Sequence, residues 1–272
     1  MLFNKVAFIG AGSMAEAIIS GIITTSFLKK EQIFVMNKNN KERLENLSER
    51  YEIHCDFNKK QLVAGADLII LSMKPHDAQE AIDSMKDYIQ EDQLIISILA
   101  GVSTDYIAKL IGKEIPIIRA MPNTSASIGL SATAVTKGEN ASEEHLQKAV
   151  SLFNTIGTTS IVKEEEMHTV TGISGSGPAY FYYVVEAMQK AASEAGLDQL
   201  VASELITQTI VGAGEMLKQS GETASTLREK ITSPNGTTQA AIETLDEYNV
   251  EKAMMDCVKN AKERSIELGK LM

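Results

Sequence analysis

The chain has 272 residues, of which 44% are hydrophobic and 23% charged. That balance belongs to a folded globular chain and excludes a disordered tail, a collagen-like repeat or a membrane channel; the length is enough to bury a core without disulfides or metals. With 26 Lys and Arg against 36 Asp and Glu, the net charge of −10 argues against nucleic acid or an anionic membrane as partner and leaves room only for local cationic pockets.

Taken in chain order, short apolar runs at 6–9, 33–36, 68–71, 94–98 and 115–118 alternate with amphipathic stretches at 15–25, 41–49 and 76–88. Strand, helix, strand at this rhythm predicts βαβ units, hence a parallel sheet with helices on both faces. Residues 131–135 read as a further strand, and 142–156 as a helix with Ser142 as N-cap and Gly157 just past its end. After about Lys163 strand-like runs cease, and helices are predicted at 178–195, 201–219, 223–231, 238–248 and 250–268, with Pro178 in a first turn and Gly196 as a stop. A boundary therefore falls between an α/β domain at 1–162 and an all-helical one at 163–272. In the helical half, Tyr180, Phe181, Tyr182, Tyr183, Val184 and Met188 cover most of one helix's circumference. Residues 201–219 add Ile206, Ile210, Val211, Met216 and Leu217, more apolar surface than one small layer hides, so a second subunit is expected to cover the remainder.

Two runs mimic membrane segments. Residues 2–23 are apolar but hold Glu16, Gly10 and Gly12; residues 167–185 lack any charge but hold Gly172, Gly175, Gly177 and Pro178. Neither reads as a spanning helix. Cys55 and Cys257 stand far apart without Cys-x-x-Cys spacing, as free thiols of a reducing compartment do, and His54, His76, His145 and His168 form no metal-ligand pattern. No metal is expected, and the cytoplasm is the expected location.

Gly10-Ala11-Gly12-Ser13-Met14-Ala15 follows a strand and opens a helix, the setting of a dinucleotide fingerprint. The first glycine makes the tight turn, the second lets backbone approach a pyrophosphate, and the small Ala15 lets helix and strand pack; the helix N-terminus offers N–H groups to phosphate. The second strand's end reads Asn37-Lys38-Asn39-Asn40-Lys41, without the carboxylate that holds a ribose 2′-hydroxyl in NAD enzymes, which favours NADPH; a solvated basic turn fits the lysines equally well. Met73-Lys74-Pro75 and Ala100-Gly101 sit at strand ends where ligands of open α/β sheets lie. Lys74 reads as a lining residue of the nicotinamide pocket, a catalytic lysine or a plain loop lysine. Two small-residue loops, 172–180 and 233–241, each run into a helix N-terminus, a setting for a carboxylate or merely for a cap.

Five segments run the length of the chain in order: Gly10-Ala11-Gly12, Met73-Lys74-Pro75, the stretch from Arg119 through Met121-Pro122-Asn123 to Thr124, the stretch from Ser174 to Tyr180, and the stretch from Ser233 to Thr238. Together they resemble the pyrroline-5-carboxylate reductase family, which performs the last step of proline biosynthesis. The resemblance implies a Rossmann-type dinucleotide-binding domain followed by an all-helical substrate-binding and dimerisation domain. It implies NADP(H) as cofactor with NAD(H) also accepted, pyrroline-5-carboxylate and proline as ligands, and a homodimer or an oligomer of dimers whose helical domains interlock. Carried over by position, Ile9, Gly10, Ala11, Gly12, Ser13 and Met14 face the pyrophosphate, Asn37 the 2′-position and Asn58 the adenosine side. Ser72, Met73, Lys74 and Pro75, with Ile98, Leu99 and Ala100, line the ribose and nicotinamide. Glu164, Ser176, Gly236, Thr237 and Thr238 fall at the substrate, with Thr238 catalytic. Lys230 stands where some relatives have an Asn at the cofactor, so that contact is not carried over.

The implied reaction is hydride transfer from nicotinamide C4 to C5 of a cyclic imine. A protonated imine accepts hydride without a strong protein acid, so positioning and placed dipoles suffice. The substrate carboxylate would dock on the N–H groups of 236–238, and the Thr238 hydroxyl would hydrogen-bond the ring nitrogen. Two alternatives differ in class. A β-hydroxyacid dehydrogenase would carry an Asn and a catalytic Lys in the helix after its Gly-rich segment, and 172–189 has neither. A non-catalytic NADP-binding regulatory paralogue would not need Thr237, Thr238 and the Gly-Ser-Gly-Pro loop, which are intact.

Overall fold

The protein is described from a computed structural model covering residues 3–270. Two compact units arise, one formed by 3–176 with 259–270 and the other by 177–258.

The first unit is built on an eight-stranded sheet. In chain order its elements are β1 (Val6–Ile9), α1 (Ser13–Thr24), β2 (Ile33–Met36), α2 (Lys41–Tyr51), β3 (His54–Cys55), α3 (Lys59–Val63), β4 (Leu68–Leu71), α4 (Ala78–Asp83), β5 (Leu94–Ser97), α5 (Thr104–Ile111), β6 (Ile117–Met121), β7 (Ser131–Lys137), α6 (Glu143–Phe153), β8 (Gly157–Ile161) and α7 (Met167–Val170). The strand order is β3-β2-β1-β4-β5-β6-β7-β8. Every residue of β1, β4 and β5 is buried, because alternate side chains enter different cores. Val6 and Phe8 join Ile18, Ile19 and Ile22 of α1, whereas Ala7 and Ile9 join Ile82 of α4 and Ile107 of α5. The chain steps outward from β1 to β3, then returns to β4 beside β1. That reversal opens a crevice at the carboxyl ends of β1 and β4, the place where ligands of such sheets bind.

The expected parallel sheet needs one correction: β6 and β7 pair antiparallel, so β7 and β8 run against the other strands. The sixth strand also begins two residues later than expected, since Pro116 has no N–H to give to the ladder, and runs on to Met121 by pairing with Ala134. The predicted helix 76–88 is shorter. Its buried stripe Ala78, Ile82, Met85 and Ile89 keeps helical spacing, but α4 is flanked by 3₁₀ turns at Pro75–Asp77 and Lys86–Tyr88, and Met85 leaves helical geometry at φ −135°. Ser142 caps α6 as expected, its hydroxyl accepting from the His145 N–H at 3.2 Å. Gly157, expected as a helix stop, instead opens β8. At φ +152° a Cβ there would lie 2.0 Å from the Ser131 carbonyl oxygen, so only glycine lets β8 close on β7. The polar β8 and two-residue β3 lie at the sheet's two edges and carry little apolar signal.

The second unit holds α8 (Gly177–Glu194), α9 (Gln199–Ser220), α10 (Ala224–Lys230), α11 (Thr237–Glu247) and the start of α12 (Val250–Lys270), whose end belongs to the first unit. Pro178 lies in the first turn of α8, and Gly196 turns the chain after it at φ +81°. Asp198 caps α9 by accepting from the N–H groups of Leu200 and Val201. No strand follows Ile161 among the described residues. The architecture is thus a Rossmann-type domain followed by helices.

Candidate functional site

A cleft of about 400 Å³ lies at the carboxyl ends of β1, β2 and β4. Its floor is the predicted glycine loop. Gly10 adopts φ +120°, and a Cβ there would lie 2.6 Å from the Ser72 carbonyl, so glycine is what lets the ends of β1 and β4 meet. Hydrogen bonds from Gly10 N–H to the Met36 oxygen (2.8 Å) and from the Ser72 hydroxyl to the Gly10 oxygen (3.0 Å) fix the loop to both neighbouring strands. Gly12 is the N-cap of α1, without a side-chain cap, and a Cβ on it would have no neighbour within 4 Å. The first N–H groups of α1 are therefore left for another acceptor.

Of the residues expected at a cofactor, Ile9, Gly10, Ala11, Gly12, Asn37, Ser72, Met73 and Lys74 line this cleft. Ser13, Met14, Asn58, Pro75, Ile98, Leu99 and Ala100 stand outside its wall. Asn58 caps α3, accepting from Gln61 N–H at 3.1 Å, and its neighbour Lys59 reaches the wall instead. Leu99 is buried in the second core, and Ile98 N–H donates to the Leu71 oxygen. At the outer end the side-chain amide of Asn37 closes a turn on Asn40, donating to its carbonyl at 2.7 Å and accepting from its N–H at 2.8 Å. Lys41, the second lysine of this turn, pairs along α2 with Glu45 and does not reach the cleft, as a solvated basic residue does.

Among the lining residues that local sequence did not mark, Arg43 and Glu80 carry charge into the cleft. Arg43 donates Nε–H to the Ala11 carbonyl at 2.8 Å and Nη2–H to Glu16 at 2.5 Å, so a cation from α2 is held against the glycine loop. Burial works to raise the Glu16 carboxyl, but the hydrogen bond and charge of Arg43, with Tyr51 and Arg50, hold it below the usual range. Glu80 reaches the cleft from α4 and meets Lys38 at 2.6 Å. No signal in local sequence marks either one, since both contacts cross more than 30 residues.

A second polar cluster lies elsewhere in the same unit. Arg119 on β6 is 2% exposed and gives one Nη1–H to Glu164 at 2.8 Å, while its Nη2 is buried without a hydrogen-bond partner. Thr104 makes long contacts of 3.4 Å to both Glu164 oxygens. His168 on α7 shares a 2.9 Å hydrogen bond with Ser265 of α12; burial first, then the Arg119 charge, pushes its pKa down. Two of the five motifs meet beside it: Asn123 donates to the Ser174 carbonyl at 3.0 Å, and a Cβ on Gly175 would strike Met121. Residues Thr171–Gly175 form a π-turn, closed by Ser176 N–H donating to the Thr171 oxygen at 2.8 Å. Such turns widen a helix and are frequent at functional positions.

In the second unit, Gly236 is the N-cap of α11, again without a side-chain cap, and Thr237 and Thr238 form its first turn. Among the described residues neither threonine hydroxyl has a hydrogen-bond partner, so the helix end presents N–H groups and hydroxyls together. Asn235 at φ 59° and its N–H bond to the Gln239 side chain at 2.8 Å hold the loop. Lys230 is paired with Glu222.

Residues 164–268 match the family described as "Pyrroline-5-carboxylate reductase dimerisation", and residues 5–101 the family described as "NADP oxidoreductase coenzyme F420-dependent". Pyrroline-5-carboxylate reductase 2 of Bacillus subtilis is 45% identical over 265 residues, 97% of this chain and 95% of that protein. The solved pyrroline-5-carboxylate reductase of Coxiella burnetii superposes with a TM-score of 0.90 at 33% identity, covering 97% of this chain and 98% of that one. The Plasmodium falciparum pyrroline carboxylate reductase, solved with NADP bound, superposes with a TM-score of 0.88 at 29% identity over 98% of both chains.

Proposed function

The chain belongs to the pyrroline-5-carboxylate reductase family, and on that premise we propose that it reduces (S)-1-pyrroline-5-carboxylate to L-proline with NADPH. The observation that carries this reading is that the chain holds both an open, glycine-floored cleft in its first unit and, in its second, an open helix N-terminus bearing Thr237 and Thr238. The cofactor supplies a hydride from its nicotinamide. The residues lining the cleft fit it: the α1 N-terminus would take the pyrophosphate, Ser72, Met73 and Lys74 would border the ribose and nicotinamide, and Lys38 and Lys59 would face the adenosine end. In the substrate domain the N–H groups of Thr237 and Thr238 hold the carboxylate, whereas the Gly236 N–H, also expected there, is already given to the Ser233 carbonyl at 3.0 Å; the Thr238 hydroxyl hydrogen-bonds the ring nitrogen and fixes the imine face. Ser176 and Glu164 border the substrate. Arg119 orients Glu164, and a protonated imine accepts hydride without a free catalytic acid.

We take the functional division at 162/163, supported by the end of β8 at Ile161 and a dimerisation match that begins at 164. The working form is a homodimer, or an oligomer of dimers. Phe181 (61% exposed), Tyr183 (75%) and Leu200 (75%) lie open on α8 and α9, an apolar area that a second copy would cover. The cytoplasm fits the two free thiols, Cys55 and Cys257; no described helix is long and apolar enough to cross a membrane. The decisive experiment is NADPH oxidation by the purified protein with pyrroline-5-carboxylate. Stoichiometric formation of proline is expected, and a protein that binds NADPH yet turns over no imine would be the regulatory paralogue instead.

A further inference from the structure

We propose that Glu80 sets the cofactor preference of the cleft by acting as an internal anion, holding Lys38 that a ribose 2′-phosphate would otherwise engage; this rests on the cofactor reading above.

Lys38 follows β2 and Glu80 stands on α4, so their 2.6 Å ion pair crosses the cleft between elements 42 residues apart. Both side chains remain more than half exposed, so the pair is free to open. The hydrogen bond from Lys38, then its charge, lowers the Glu80 pKa, and Lys59 adds to that effect; both lysines thus act on one carboxylate. The other charged lining groups are committed or differently placed. Arg43 is bonded to Ala11 and Glu16, Lys74 lies beyond β4, and Asp77 acts on Lys38 more weakly than Glu80 does.

The carboxylate that receives a ribose 2′-hydroxyl in NAD-binding sheets normally ends the second strand. That position is Asn37 here, turned onto Asn40. The acid at this end of the cleft is supplied instead by a different element and is tied to a lysine. With NADH the Lys38–Glu80 pair stays closed and the carboxylate meets a neutral hydroxyl. With NADPH the phosphate must take Lys38 from Glu80 and bind beside a like charge. Glu80 therefore works against NADPH and for NADH, opposing Lys38 and Lys59.

The test is calorimetric titration of NADPH and of NADH, without substrate, into wild type, Glu80→Gln, Lys38→Gln and the double variant. Removing a single like charge some 6 Å from a phosphate in a water-like dielectric is worth about three- to tenfold in affinity. Glu80→Gln should tighten NADPH by that factor while NADH binding stays level or weakens, and the gain should shrink in the Lys38→Gln background and at high salt. Equal effects on both dinucleotides, or none on NADPH, overturn the proposal and leave the cofactor reading standing. A wild-type protein that binds neither dinucleotide overturns both.

Discussion

Arg119 Nη1 lies 2.8 Å from Glu164 Oε1, tying β6 to the turn after β8 across 45 residues of sequence. The guanidinium is 2% exposed, whereas the Glu164 side chain is 32% exposed, so the pair bridges the interior and the surface of the sheet domain. Removing the acid strands a buried cation whose Nη2 already lacks a partner. Breaking such a pair from one side costs about 3–5 kcal/mol, and the partial exposure of Glu164 puts Glu164→Ala near about 3. Urea denaturation should show this as a lowered midpoint with an unchanged slope. A loss below about 1 kcal/mol would mean that water already solvates Arg119.

Asn37→Asp places a fixed negative charge at the end of β2, where the neutral amide now both donates to and accepts from Asn40. The carboxylate retains the acceptor and loses the donor, so the turn persists while the 2′-phosphate is repelled. NADPH should bind about tenfold more weakly with little change for NADH. Wild-type protein with a higher kcat/KM for NADH than for NADPH would overturn the cofactor preference from which this prediction starts.

Thr238→Ala removes one hydroxyl from the first turn of α11 without touching the N-cap, Gly236. A hydrogen bond to a charged partner is worth about 1.5–3 kcal/mol, so kcat/KM for the imine should fall roughly ten- to a hundredfold with NADPH affinity unchanged. Unaltered turnover would reduce Thr238 to a helix-start residue.

The dimer is tested by mixing. Gly12→Glu would block the cofactor loop, where a side chain at 12 points into open space, and Thr238→Ala would disable the substrate loop. If each site takes its two halves from different chains, refolding the variants together returns roughly a quarter of wild-type activity, because half the dimers are mixed and each has one sound site. No recovery means that each chain completes its own site, and a monomer in light scattering removes the dimer itself.

How much of this was legible in the sequence follows from the range of the forces involved. The apolar runs of β1, β4 and β5, the glycine loop ahead of α1, the Ser142 cap and the change to helices after Lys163 are local features. Alternation, backbone freedom and capping express themselves within a few residues, and the structure carries them as read. The charge arrangement at the outer end of the cleft was not legible: Arg43 enters through a bond to Ala11, Glu80 through one to Lys38, and Lys41 leaves toward Glu45. The reversal of β7, the polar edge strand β8 and the Arg119–Glu164 pair were hidden for the same reason. Periodicity reports which face of an element is buried. Only the folded chain decides which charges from distant elements converge, because charge pairing and edge-strand hydrogen bonding depend on distances that spacing along the sequence does not encode.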